Sequence, residues 1–264
     1  MKNKKLMSVL ALSILGSNLL APSILAAENG EVNRYESHGM VQFIPDTDPT
    51  DPTDPIDPGE PEKPIDPTDP EGPNPGTPGP LSIDFASSFD FGINKITDKD
   101  ETYYARAQRF EGLEDRPNYV QVSDKRGTNA GWTLDVKQET QFEATKETKN
   151  KELIGAQISL NHAKVRSKTN TTPPLAHENM KLKVGELHRV MTAEKGAGAG
   201  TWLNRWDEGE NVLTEEEVVV DEKGNKENVN LNKSVTLTVP GATVKDAVNY
   251  KTTLTWILSE IPAN

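Results

Sequence analysis

The sequence predicts an all-β protein: an antiparallel β-sandwich or barrel-like domain with long loops, preceded by a disordered Pro/Asp-rich linker. Three observations predict it. From Leu81 onward, short stretches of apolar–polar alternation recur, the pattern of strands with one buried face. Gly112, Pro117, Gly127, Pro173-Pro174, Gly185, Gly224 and Pro240-Gly241 separate them, where turns are expected. No stretch sustains a helical period over three turns, and residues 244–248 suffice for a single turn only.

In chain order, Lys2, Lys4 and Lys5 come first, then an apolar run over residues 6–20, Pro22 and the small residues Ala26-Ala27. This arrangement predicts a secretory signal peptide over residues 1–27. The apolar run is short for a membrane span of about 20 residues. The sequence has no cysteine, which excludes a disulfide framework and a lipid-modified cysteine. An exported domain of this kind must be stabilised by its own apolar core, and residues 81–264 are enough for one.

Residues 28–45 read as a short strand-like segment. Val41 and Phe43 alternate with polar residues, after a turn at Ser37-His38-Gly39. Residues 46–80 then change texture to a Thr-Asp-Pro repeat of local period three. Proline fixes φ and biases the residue before it away from helix, so an extended, solvated spacer is expected. Fully extended it would reach about 110 Å at about 3.1 Å per residue. Single aspartates spaced by prolines do not converge on one ion, so no calcium site is expected here.

Within residues 81–264 the strands are expected at Leu81-Ser82-Ile83-Asp84-Phe85, Tyr119-Val120-Gln121-Val122 and Trp132 to Val136. More follow near residues 156–160, 181–184, 218–220, 235–239 and 250–258. Trp132, Leu134 and Val136 share one face of their strand; Thr133, Asp135 and Lys137 share the other and are expected in water. Tyr250, Thr252, Leu254, Trp256 and Leu258 likewise line one face of the last strand.

The net charge of −12 lies mainly in the linker, where residues 45–80 hold ten acidic residues and one lysine. The remainder is only mildly acidic, a surface that gains nothing from phosphate, so no nucleic-acid partner is expected.

Two short elements share a pattern, Trp132-Thr133-Leu134 and Trp256-Ile257-Leu258. The second sits in Tyr250-x-x-x-Leu254-Thr255-Trp256-x-Leu258-x-x-x-Pro262, and the first in Gly131-Trp132-Thr133-Leu134-Asp135-Val136. With Gly79-Pro80-Leu81-Ser82-Ile83-Asp84-Phe85 entering the domain after a Pro/Asp spacer, this resembles the WxL domain family of surface proteins of Gram-positive bacteria. The resemblance covers essentially the whole chain after the signal peptide. It implies an extracellular protein attached non-covalently to peptidoglycan in the cell wall. It also implies an alternative, an assembly subunit beside membrane-anchored WxL-interacting proteins and other WxL proteins; a host-matrix adhesin, which shares the same architecture, is a third reading. The last residues, Ser259 to Asn264, show no sortase-type motif, in line with attachment by a folded surface.

Two roles are open for Trp132 and Trp256. An indole face stacks on sugar, but a tryptophan on the apolar side of an alternating strand also buries a large area in a core; the alternation favours the core. A second candidate is Trp202, Asn204, Arg205 and Trp206, which follow the glycine-rich Gly196-Ala197-Gly198-Ala199-Gly200. It reads either as a saccharide-contact loop or as a loop tucked onto the core. Its spacing matches neither a phosphate cradle nor a dinucleotide fingerprint. No catalytic constellation is found. His38, His162, His177 and His188 lack metal-ligand spacing, and no Gly-x-Ser-x-Gly elbow occurs. Glu114-Asp115 and Glu215-Glu216-Glu217 read as solvated charge. No enzyme activity, cofactor or metal is expected.

Overall fold

A computed structural model of the protein describes residues 33–209, 213–221 and 223–260. The predicted signal peptide and Pro262 lie outside the described residues. The chain divides into two units, residues 1–42 and 43–264. In the first, residues 33–42 form no strand, and Tyr35, Met40 and Val41 are exposed. In the second, Phe43 is equally exposed and unpaired. The strand expected at Val41 and Phe43 is therefore absent here, because alternation supplies no backbone partner and a lone strand is not stable in water.

The second unit is built of strands, with no helix among the described residues, not even the single turn expected at residues 244–248. Three antiparallel sheets carry it. The first runs Leu175–Ala176, Leu187–Ala193, Trp132–Gln138, Leu254–Ser259. The second runs Leu81–Ala86, Tyr119–Asp124, Gly200–Trp206, Ala163–Arg166. In the third, the long strand Lys226–Val239 pairs with Thr214–Val219 and Gln157–Leu160 along one side and with Glu101–Arg106 along the other. None closes into a barrel.

Apolar side chains from all three sheets make one core: Trp132, Leu134 and Val136 of the first, Val120, Trp202 and Trp206 of the second, Ile158 and Val235 of the third. The edge strands Leu254–Ser259 and Leu81–Ala86 lie close together, yet no ladder joins them.

Position in the sheet decides burial more than alternation does. Trp132–Gln138 lies between two partners, so its outward residues are flanked as well. Thr133 sits between Thr192 and Ser259, and Asp135 between Arg189 and Ile257. Both are buried rather than solvated, and Arg189 Nε donates to Asp135 Oδ1 at 2.6 Å. The expectation that Thr133 and Asp135 face water is corrected accordingly. In Leu81–Ala86 a bulge between Ile83 and Phe85 breaks the alternation. Ser82 and Asp84 are buried there, whereas Leu81 and Ile83 are half-buried.

The Pro/Asp stretch is not the free spacer expected. Its aspartates close local turns, Asp46 Oδ1 accepting from Asp48 N, Asp54 Oδ1 from Ile56 N, Asp66 Oδ1 from Thr68 N and Asp69 Oδ1 from Glu71 N. These are the Asx turns that aspartate makes with the amide two residues on. The stretch is also strapped to the sheets. Pro64–Ile65 pairs with Arg109–Phe110, Thr53 N donates to Gln121 Oε1 at 2.9 Å, and Arg116 Nε reaches both oxygens of Asp54 at 3.0 Å. The cause is complementarity. A proline- and aspartate-rich chain carries surplus acceptors, and the sheets present donors from Gln108, Arg116 and Gln121.

Candidate functional site

The two Trp-x-Leu elements come together as neighbours in the first sheet. In their antiparallel register Leu258 lies opposite Leu134, Trp256 opposite Val136 and Leu254 opposite Gln138. Their inward side chains form one apolar stripe facing the second sheet. Trp132, Leu134 and Val136 are fully buried, while Leu254, Trp256 and Leu258 are half-buried because their strand is an edge.

Trp256 packs across the layers against Trp206, with ring centroids 6.0 Å apart and 39° between planes, and Trp206 meets Phe89 edge-on at 6.0 Å. Such offset and edge-to-face contacts suit the aromatic quadrupole. Trp132 Nε1 donates to the Gly198 carbonyl at 3.0 Å, so the buried indole keeps its hydrogen bond.

The glycine-rich stretch exists to admit Trp132. Gly198 has φ of +73°, and a Cβ there would overlap the Ala193 side chain and stand 2.7 Å from Trp132 Nε1. Close backbone approach does explain the glycine, as the sequence suggests, but the approaching group is the protein's own indole.

Tyr250 works differently. It opens a two-residue strand paired with Glu143–Ala144, and its hydroxyl donates to the Asn150 carbonyl at 2.8 Å while accepting from Asp246 N at 3.0 Å. Asp246 in turn accepts from Asn150 N and Nδ2, both at 2.8 Å, and from the Thr148 hydroxyl. The Thr148 hydroxyl above all, then the two Asn150 donors, hold its carboxyl down to about 2. Tyr250 and Asp246 thus clip the loop around Asn150 to the base of the last strand.

The second candidate group is corrected in kind. Residues 200–206 form a strand in the middle of the second sheet, and Trp202, Asn204, Arg205 and Trp206 are all buried. Trp202, Asn204 and Trp206 share the face toward the core, with Trp202 Nε1 donating to the Ala199 carbonyl at 3.0 Å. Arg205 points to the other face, where its Nε lies 2.8 Å from Asp207 Oδ2 and Nη1 reaches the Pro55 carbonyl at 3.5 Å. Lys164 Nζ adds a second cation 3.1 Å from Asp207. The alternation Trp202-x-Asn204-x-Trp206 was the available signal for a strand; the preceding glycines masked it.

Reading by sequence missed a buried polar network beneath the Pro/Asp strap. Asp84 accepts from Ser82, Ser123 and Gln121 at 2.6, 2.7 and 3.0 Å, and Gln121 also binds the Asp51 carbonyl at 2.9 Å. Burial pushes the Asp84 carboxyl above the usual range, against the pull of those three donors. The histidines and acid runs carry ordinary contacts. His188 Nε2 accepts from Lys183 N at 2.9 Å, Glu216 pairs with Lys233 at 3.0 Å and Glu217 with Lys226 at 2.6 Å. Among the described residues no three His, Cys, Asp or Glu side chains gather as metal ligands, and the large aromatics exposed are Tyr35 and Phe43.

Fold and site define an all-β domain in which paired Trp-x-Leu strands tie two sheets together. The family model described as WxL domain surface cell wall-binding matches residues 30–262, and the chain belongs to that family. No curated protein and no solved structure matches the chain.

Proposed function

We propose that this chain is an exported protein of a Gram-positive cell surface that holds peptidoglycan without covalent linkage, through a surface of the sheet unit other than its motif tryptophans. One observation carries this reading. The family match runs across residues 30–262, so the cell-wall-binding character goes with the whole folded unit and its strap. The interior position of Trp132 and the packing of Trp256 on Trp206 support a scaffold role for the motifs. Polar outer faces are then left to meet the glycan. The test is co-sedimentation of the chain from Glu28 with sacculi stripped of protein and teichoic acid. Retention in the pellet is expected, and a chain that stays in the supernatant would refute the proposal.

An assembly role is the second reading, with WxL-interacting or other surface proteins as partners. It is supported by the edge position of Leu254–Ser259, which among the described residues forms a ladder with Trp132–Gln138 alone, and an edge strand is where a partner's strand can add. Retention on sacculi only after partner protein is added would favour it.

A further inference from the structure

The second sheet holds the Pro/Asp strap through five residues in a row, Asp51-Pro52-Thr53-Asp54-Pro55. On the outer face of that sheet the fully buried Gln121 amide pairs with the strap much as a neighbouring backbone would. Its Nε2 donates to the Asp51 carbonyl at 2.9 Å, and its Oε1 accepts from Thr53 N at 2.9 Å and from the Thr53 hydroxyl at 3.1 Å. Arg116 Nε takes both oxygens of Asp54 at 3.0 Å, and Arg205 Nη1 reaches the Pro55 carbonyl at 3.5 Å. The strap then returns on itself, Glu62 N donating to the Pro52 carbonyl at 2.8 Å and Thr53 bridging Pro61.

The bound pattern recurs. Asp-Pro-Thr-Asp-Pro stands at residues 48–52, 51–55 and 66–70. The last copy is held elsewhere, Asp66 by the Ser88 hydroxyl at 2.6 Å and the Thr68 carbonyl by Lys251 Nζ at 3.2 Å. The first overlaps the bound copy at an offset of three residues. A shift by that offset brings the Asp48 carbonyl and Thr50 to Gln121, Asp51 to Arg116, Pro52 to Arg205 and the Pro49 carbonyl to Glu62 N. Each contact is remade by the same residue type, and a segment that repeats itself specifies its register weakly.

Little is given up in that shift. The Lys125–Asp46 pair is lost, a partly exposed ion pair of the kind worth little in water. The connection from Thr53 to Pro61, residues 54–60, becomes residues 51–60, less than a doubling, and loop closure depends only slowly on length. The opposite shift is not equivalent. It puts Ile56 where the threonine hydroxyl meets Gln121 and cuts the connection to residues 57–60.

We propose that this face of the second sheet is a binding site for the extended pentapeptide Asp-Pro-Thr-Asp-Pro, and that the chain fills it with either of two overlapping copies, residues 51–55 or residues 48–52. Exchange between them takes in or releases about 9 Å of the chain upstream of the site, at about 3.1 Å per residue. Residues 51–55 are the major occupant, and residues 48–52 a minor one on the order of 1 %. The Asp51 carboxylate, exposed when residues 51–55 are bound, gains Arg116 as a partner only in the second arrangement.

The experiment compares melting temperatures of the chain from Glu28 and its variants. Asp54→Ala removes the Arg116 partner of the major copy; the strap then moves to residues 48–52, where Asp51 restores the pair, and part of the stability is kept. Asp51→Ala alone should melt with the parent. Asp51→Ala/Asp54→Ala leaves neither copy intact and should melt roughly 3–6 °C below Asp54→Ala. The Arg116 Nε proton, slow to exchange in Asp54→Ala, should exchange fast in that double variant. Asp48→Ala/Asp54→Ala makes the same change of charge at a carboxylate that neither arrangement uses, and should melt with Asp54→Ala. Two double variants that melt alike, or an Arg116 Nε proton already fast in Asp54→Ala, overturn the proposal.

Discussion

At the scale of single residues, Gly198 shows how a motif tryptophan constrains distant sequence. Trp132 lies 66 residues away in the chain, yet its indole, with the Ala193 methyl, crowds the space of the missing Cβ. A Gly198→Ala variant combines that overlap with a left-handed backbone that alanine resists. It should cost about 2–4 kcal/mol, seen as a melting point lowered by roughly 5–15 °C. Gly196→Ala is the useful contrast. It has a similar φ of +90° but nothing within 4 Å of its Cβ position, so it should carry the backbone strain without the overlap and lose about half as much. Equal losses at the two glycines would show that crowding by Ala193 and Trp132 contributes nothing.

At the scale of elements, the terminal strand depends on the Tyr250–Asp246 clip at its base. Asp246 has a folded-state carboxyl near 2, below its ordinary value of 3.8. Such a depressed group contributes stability that is present above the ordinary value and is lost as pH falls toward 2. An Asp246→Asn chain should therefore melt below the parent at neutral pH, and the gap should close between about pH 4 and 2. A gap that persists unchanged at pH 2 would mean that the loop is held by something other than the charge. Asp84 has the opposite sign. Its raised carboxyl makes the folded state bind its proton more readily, so its contribution favours folding as pH falls and weakens as pH rises through the raised value. Parent melting curves in acid thus report two opposed groups, which Asp246→Asn and Asp84→Asn separate.

The strands themselves were largely legible. Period-two runs at Trp132–Gln138 and Tyr119–Asp124 appear where alternation places them, because each buries an apolar row against the same core; the last run, expected unbroken over residues 250–258, is split into Tyr250–Lys251 and Leu254–Ser259, which join different sheets. Legibility failed where burial comes from lateral neighbours. Thr133 and Asp135 look solvent-facing in one dimension and become buried only once Leu187–Ala193 and Leu254–Ser259 flank them. It failed again at residues 200–206, where glycines that suggest a loop precede a central strand, since nothing local records that Trp132 will approach them.

At the scale of the whole molecule, the Pro/Asp stretch changes what counts as the folding unit. Its composition gives it little to bury, and so it reads as a spacer; its acceptors are matched by donors that come together only after the sheets form. Arg116 meets Asp54 in a largely desolvated pair, Arg205 reaches Pro55, and Gln121 spans Thr53, Asp51 and Asp84. Removing residues 28–80 exposes these polar groups to water and also strips Pro64–Ile65 from Arg109–Phe110. A chain beginning at Leu81 should keep its strand content by circular dichroism but melt well below the chain from Glu28. Loss of a buried pair's partner alone costs about 3–5 kcal/mol, reduced to the extent that water reaches Arg116 in its place. The narrower Asp54→Ala change should give part of that loss and speed proteolysis within residues 46–62, where the strap would lift. Identical melting of the two chains would return the stretch to the role of a passive tether, and the sheets would then have to stand without it.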